Sequence, residues 1–570
     1  MVLNKQYLAI VGLLLVSFTV AANYDYIIIG GGTAGSIWAE KLSRDPLIRV
    51  LLLEKGDDVS ELMSPAVAIW NAPLVGVAPA NISKVSSHNY FANFHKSQEN
   101  NLGFRSLDWA VGELLGGGSS INGNAFGRAT ADDLAGWNNE LWSYEATLDD
   151  WKALENCQSV GPACDPDYHG FGGPIATNIF APSATLAAIA NAAKNVFNLT
   201  DNADVNGPVG DGLGYLPRNV EVVGGVPFRQ DSYSKALKPV LASRPNLVLR
   251  TQALVKKINV KINGKNEVIY DYDGAILTDK AELEVVLAAG TFGNPQILLL
   301  SGIGDPAQLQ ALGIDLQVNN SQVGKNLRDS VLTSMVFVSP VPAANNTPGA
   351  IAVAYYKSPG YTGPTTNMEV AFASLAPAGN IILVQLTHLV HSGVGEVKLY
   401  STNPHYRPMV TFNLYSNPAE ALALVDQFNK TRQTFASLFA QGLPFGEASP
   451  GTARVPATAT ATDILNYLAG VVGPEGHAVG TCSLNKVVNG RLQLIDGDGN
   501  IVPGIRIGDN SIVPQLLSKH ATASTAMLIA ETGSRLVLED NVQKRSLGMF
   551  ESISAFFREL NEDMASKLHR

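Results

Sequence analysis

Cysteine is scarce, with three residues in a chain of 570. That excludes a disulfide-built scaffold, and with no CxxC pair and no Cys/His cluster along the sequence there is no case for a metal. Cys157 and Cys164 could close a small loop in an oxidising compartment, which leaves Cys482 over. Charge is also sparse: Asp, Glu, Lys and Arg make up 16% of the chain, and the formal net charge is −10. An acidic balance argues against a polyanionic partner, so no nucleic acid is expected. Past residue 22 no stretch is long and uncharged enough for a membrane span of about 20 apolar residues. Apolar side chains, in contrast, are plentiful at 46%, as expected of a well-buried globular protein. A chain of this length outgrows a single core, so two or more domains are expected.

Residues 1–22 stand apart. Lys5 precedes the apolar run Leu8 to Val20, and Val20-Ala21-Ala22 offers small residues for cleavage, the form of a secretory signal peptide. The expectation is a secreted protein, soluble once mature. Five Asn-x-Ser/Thr tripeptides, at Asn81, Asn198, Asn319, Asn345 and Asn429, agree with export if the host glycosylates. No feature fixes an oligomeric state.

The chain is organised around Tyr24 to Gly35. Tyr26 to Ile29 is a short apolar run suited to a strand buried on both faces. It leads into Gly30-x-Gly32-x-x-Gly35 and then into a helix from Ser36 to Leu42. In such a junction the first glycine turns the chain, the second admits a pyrophosphate close to the backbone, and the third lets helix and strand pack. A second strand, Val50 to Leu53, ends at Glu54, whose carboxylate suits ribose hydroxyls. Together these predict dinucleotide binding.

Further along, Asp57 to about Phe104 reads as an irregular excursion or lid. Gly112 to Ala125 contains three consecutive glycines with hydroxyls and amides, leaving backbone N–H groups free to face a ligand. Trp137 to Glu155 has core-like helical spacing. Phe228 to Ser232 reads as a loop entering a short helix, and Asn246 to Arg250 and Leu254 to Val260 as strands. Val285 to Ala289 followed by Gly290 and a helix is a second strand–glycine–helix junction. Between Ser330 and Phe412, the runs Met335 to Val338, Ala350 to Tyr356, Ile381 to Gln385 and Glu396 to Tyr400 read as strands. The alternation in some of them predicts an antiparallel sheet in a second domain. Pro418 to Leu438 reads as a helix. His477 and His520 lie in glycine- or hydroxyl-rich contexts. Residues 545–570 place Phe550, Ile553, Phe557, Leu560, Met564 and Leu568 on one helical face.

Several motifs follow one another in the order found in a known family: the N-terminal GGGTAG with Glu54, GGGSSINGNAFGR, and Gly290 to Gly304. They continue with Val323 to Asp329, the HAVGT of His477 to Thr481, and Ile507 to Pro514. From Tyr24 to about Val537 the chain resembles the glucose–methanol–choline (GMC) oxidoreductases. The resemblance implies an α/β FAD-binding Rossmann-like domain plus an α+β substrate domain built on an antiparallel sheet. It assigns residues 23–329 mainly to the FAD domain (57–104 as lid), 330–490 mainly to the substrate domain, 491–540 to a return into the first, and 541–570 to an amphipathic helix. The implied cofactor is FAD. Some relatives tether it through a histidine where this chain has Ile121, so non-covalent binding is expected.

The resemblance also implies roles. Gly30, Gly32, Thr33, Ala34, Gly35 and Glu54 would hold pyrophosphate and ribose. Leu115, Gly116, Ser119, Asn122, Gly123, Asn124 and Ala125 would lie along pyrophosphate and isoalloxazine. Val255 would meet adenine through its backbone, and Asp509 and Asn510 would reach the flavin. The implied reaction is oxidation of a small-molecule alcohol by hydride transfer to flavin N5, with O2 or another acceptor reoxidising the flavin. His477 would be the base and His520 a hydrogen-bonding partner that orients the alcohol; a neutral imidazole suits the proton step near pH 7. The alternative within the family is an FAD-containing hydroxynitrile lyase or cyclase with no net redox change.

Overall fold

The structure is a computed structural model that describes residues 23–58, 87–92, 107–159, 164–207, 210–224, 226–339, 350–375, 380–415 and 417–541. The expected signal peptide, most of the excursion from Asp57 to Phe104, the C-terminal amphipathic helix, Asn81 and Asn345 lie outside these residues.

Tyr26 to Ile29 and Val50 to Leu53 are buried along their whole length, and the reason is their position in a parallel sheet. Asn23–Ile29 lies between Val50–Leu53 and Ala275–Leu287, with Ile27 opposite both Leu51 and Val285. Leu247–Arg250 extends the sheet on one side and Ile501–Ile507 on the other, all parallel. Covered on both faces, such strands need apolar side chains at every position. The long Ala275–Leu287 strand forks: its first half pairs antiparallel with Glu267–Tyr272, which pairs with Leu254–Asn259. The first helix, Thr33–Leu42, buries Trp38 completely, and the indole Nε1 donates to the Gly508 carbonyl at 2.9 Å. That bond joins the first helix to the end of the last parallel strand.

The second sheet is antiparallel, in the order Gly446–Ser449, Val331–Val338, Ile381–His388, Met368–Leu375, Ile351–Tyr356, Gly212–Tyr215. One face (Met335, Phe337, Val384, Val370, Phe372, Ala354) shares a core with the helices Ala184–Phe197, Leu422–Ala440 and Ala461–Val471. The register Leu332–Thr387–Glu369–Tyr355 runs across the opposite face.

The structure corrects three local readings. Glu396–Lys398 is a strand, but it pairs with Met409–Thr411 in a separate ribbon rather than joining the large sheet. Phe228 and Arg229 end a strand, Val226–Arg229, in a hairpin with Val220–Val223. The central strand Met368–Leu375 has no counterpart in the sequence reading, because Glu369 and three alanine or serine residues dilute its β signal. Cys157 and Cys164 form a disulfide and Cys482 is buried and free. Beside that disulfide His169 meets Glu155 and Asp204, at 2.8 and 3.1 Å, and Arg128 pairs with Glu155.

Candidate active site

The cofactor motifs converge at the carboxyl ends of the parallel strands, where ligands of open α/β sheets bind. Gly30 has a left-handed φ of 102°, and a Cβ there would meet the Ala288 carbonyl. A Cβ on Gly35 would overlap the Gly30 carbonyl, so this pair is required for packing. Gly32 differs. It is the N-cap of the Thr33–Leu42 helix with φ −75°, and the nearest atom to an added Cβ is Gly117 Cα at 3.7 Å. No side chain caps that helix and no acid occupies its first turn. The open approach and uncapped N–H groups fit a pyrophosphate.

The second glycine block lies against the first. Gly116 N donates to Gly31 O at 2.9 Å, Thr33 Oγ1 donates to Gly116 O at 3.2 Å, and Ser119 N donates to Thr33 Oγ1 at 3.0 Å. Arg229 fixes the far end, donating to the Ser119 carbonyl (3.0 Å), Asn122 Oδ1 (2.7 Å) and the Asn122 carbonyl (2.7 Å). Burial pushes its guanidinium down to about 10. Arg218 donates to the Gly123 carbonyl at 2.9 Å. Leu115 is buried, Ala125 bridges to Arg218, and Asn124 takes a positive φ of 61°. Gly123 has open space at its Cβ position.

Glu54 is buried, which raises its carboxyl, and accepts from Gly31 N and Gly56 N at 2.7 Å each. Its remaining lone pairs suit hydroxyls. Ala253 N donates to the Glu54 carbonyl, so the strand Leu254–Asn259, with Val255 as its second residue, begins beside Glu54. Asp509, raised by burial, accepts from Gly290 N at 2.6 Å and Asn294 Nδ2 at 2.9 Å. Asn510 Nδ2 donates to the Thr522 carbonyl, while its buried Oδ1 has no partner among the described residues. Ala34 is buried in the first turn of the helix. Local contacts thus join Glu54 to Gly31, the first glycine block to the second, and Asp509 to Gly290.

The segments carrying the two histidines both reach Asn510: its carbonyl accepts from Gly480 N and its Nδ2 donates to the Thr522 carbonyl. Gly473–Pro474 pairs with Val331–Leu332, and the Glu475 and His477 N–H groups donate to Asp329 Oδ1 at 3.2 and 3.1 Å. His520 arrives from the other side, where its carbonyl accepts from Gly127 N and leaves no room for a Cβ on Gly127. The two rings meet edge to face with centroids 4.4 Å apart.

Two carboxylates unassigned by the sequence reading stand behind them. His477 Nδ1 lies 2.9 Å from Glu475 Oε2, and His520 Nδ1 lies 3.3 Å from Glu475 Oε1 and 3.5 Å from Glu369 Oε1. The imidazole side chains are 14% and 20% exposed, the carboxylates 4% and 1%, so the rings are reachable and the acids are not. Burial alone would push His520 down, but Glu369 and Glu475 outweigh it and hold the imidazole up at about 10. Burial works against the Glu475 anion, yet the two histidines pull its carboxyl far below the usual range. Burial, reinforced by the Glu475 charge, keeps Asp329 far above it. Burial also brings Lys519 down to about 8, with Nζ 4.0 Å from the centre of the Tyr355 ring. Glu475 could have been singled out two residues before His477; Glu369 had no local signal, since only strand register brings it in.

Models of the GMC oxidoreductase family match residues 24–332 and 391–529. The chain belongs to the GMC oxidoreductases. It is an FAD flavoprotein enzyme of the class acting on CH–OH donors. An oxygen-dependent choline dehydrogenase of Escherichia coli O139:H28 is 28% identical, covering 92% of this chain and 98% of that protein. One from Klebsiella pneumoniae (strain 342) is also 28% identical, covering 89% and 94%. Among solved structures, pyridoxine 4-oxidase from Mesorbium loti superposes with a TM-score of 0.76 at 22% identity, covering 90% of this chain and 99% of that one. A fungal aryl-alcohol oxidase gives 0.76 at 18%, covering 92% and 100%.

Proposed function

We propose that the protein oxidises an alcohol CH–OH to the carbonyl, with His477 as the base and His520 as a hydrogen-bond donor to the same oxygen. The observation that carries this reading is the meeting of the two imidazoles, 4.4 Å apart, near Asn510, whose carbonyl accepts from Gly480 N and whose Nδ2 donates to the Thr522 carbonyl. FAD, when bound, supplies the hydride acceptor. The protein's own part is to hold the hydroxyl between the two rings. His520, kept cationic by Glu369 and Glu475, donates to the oxygen as negative charge develops there. That leaves His477 to accept the proton. The names of the relatives, a choline dehydrogenase, a pyridoxine oxidase and an aryl-alcohol oxidase, all describe alcohols. Behind the histidines, Leu332, Val336, Leu383 and Gln385 are partly exposed on the Glu369 face of the antiparallel sheet, a largely apolar surface for the body of the substrate. We read residues 330–490 as contributing most of that substrate side.

His477→Ala is expected to retain yellow FAD while anaerobic flavin reduction slows by about 100- to 10,000-fold. A rate near that of the wild type would remove His477 from the role of base.

We further propose that the protein is exported and glycosylated. The Cys157–Cys164 disulfide supports an oxidising compartment, and Asn198, Asn319 and Asn429 are all exposed.

A further inference from the structure

Both imidazoles turn Nδ1 toward a single carboxylate. Glu475 Oε2 faces His477 at 2.9 Å and Oε1 faces His520 at 3.3 Å, so the two oxygens of one side chain serve two rings from distant segments. These approaches are close but bent, since neither Glu475 Oε2 nor His520 Nδ1 has a partner at hydrogen-bonding angles. Such geometry commonly tightens when substrate binds. The carboxylate cannot swing away. Its backbone N–H donates to the Ser330 carbonyl (2.9 Å) and to Asp329 Oδ1 (3.2 Å), Thr387 Oγ1 donates to Oε1 (3.4 Å), and the preceding pair of residues is tied to Val331 and Leu332.

We infer that Glu475 is the positioning residue for both histidines, taking Nδ1 of each ring so that Nε2 of each is left for the substrate oxygen. The inference rests on the roles proposed above for His477 and His520. In His477 a proton on Nδ1 leaves Nε2 with the lone pair a base needs, the logic by which a buried acid orients an imidazole in hydrolase triads. In His520 Glu369 and the same carboxylate together keep both nitrogens protonated, so that Nε2 donates. Of the other groups around the pair, the Asp329 carboxyl is held far above its ordinary range by burial and by the Glu475 charge, and the Tyr355 hydroxyl is pushed up by burial and by Glu369. Lys519, which sits over Tyr355, opposes the His520 proton. Glu475 and Glu369 are therefore the groups that favour it.

The test is magic-angle-spinning NMR of the FAD-loaded full chain carrying ring-15N histidine, with the two signals identified by their loss in His477→Asn and His520→Asn. At pH 7 the wild type is expected to show His477 protonated on Nδ1 and bare on Nε2, and His520 protonated on both. In Glu475→Gln, an isosteric change, His520 is expected to lose its proton about one to three pH units lower, and His477 to become a mixture of tautomers. Unchanged titration and tautomers in Glu475→Gln would overturn the inference. Should that variant fail to retain FAD, the wild-type spectrum decides alone: a neutral His477 protonated on Nε2 would also overturn it. Because the readout is a tautomer rather than turnover, failure here leaves His477 as base untouched, whereas a fast His477→Ala would remove the catalytic reading itself.

Discussion

The two glycines Gly32 and Gly35, three residues apart in one motif, are expected to fail in different ways when replaced by alanine. At Gly35 the new Cβ would overlap the Gly30 carbonyl oxygen and lie 3.4 Å from Ala288 Cβ. The helix must then move off the sheet, an overpacking cost of about 1–3 kcal/mol that both apoprotein and holoprotein bear. At Gly32 the φ of −75° suits alanine, and the nearest atom is 3.7 Å away. Losing chain freedom in the unfolded state favours alanine by about 0.4–1 kcal/mol. Its poorer N-cap preference costs a similar amount, so the stability of the apoprotein should move by less than about 1 kcal/mol. The methyl group would, however, occupy the approach to the helix N-terminus that the pyrophosphate needs. Gly32→Ala should therefore fold with a near-normal melting temperature and lose FAD, while Gly35→Ala should lose stability first. The assay pairs visible absorbance per protein with thermal unfolding after removal of the flavin. Full flavin content and unchanged affinity in Gly32→Ala would refute the assignment of that backbone to the pyrophosphate.

Stability should also fall on the alkaline side for a nameable reason. Burial disfavours the His169 cation, but Asp204 and Glu155 override it and raise the imidazole to about 9, against about 6.5 in the unfolded chain. The resulting contribution, about 3 kcal/mol, is complete below pH about 6.5 and is lost as pH rises through about 9. His169→Gln should flatten the difference in unfolding free energy between pH 6 and 9.5, and parallel wild-type and variant curves would contradict this. Expressed in a glycosylating host, the secreted protein should begin near Asn23, and endoglycosidase should increase its mobility on a denaturing gel. An intact Met1 and an unchanged band would count against export.

How much of this was legible depended on whether the signal was local. Tyr26 to Ile29 and Val50 to Leu53 were readable because a strand covered on both faces needs an unbroken apolar run. The glycine blocks were readable because their requirements, a turn and a close approach, lie within a few residues. Met368–Leu375 was not, because its alternate residues serve two different environments, Val370 and Phe372 the helix-covered core and Glu369 the site. Glu396–Lys398 alternates as a half-exposed strand should, yet alternation does not say which strand is its partner. The same limit hid Glu369, whose distance from His520 follows from its register against Tyr355 and Thr387. Arg229, half-buried and bonded to Ser119 and Asn122, carried no mark in the sequence that set it apart from a surface arginine.

The central claim, oxidation of an alcohol by an FAD protein, is tested most directly by the anaerobic visible spectrum of the purified wild type. The spectrum would be followed as primary, aromatic and sugar alcohols, choline and pyridoxine are added in turn. The account predicts that one of these classes bleaches the flavin bands and yields the corresponding carbonyl. Readmitting air would then separate an oxidase from a dehydrogenase. A yellow protein left unbleached by every alcohol, but cleaving or cyclising one of them without net oxidation, would contradict it.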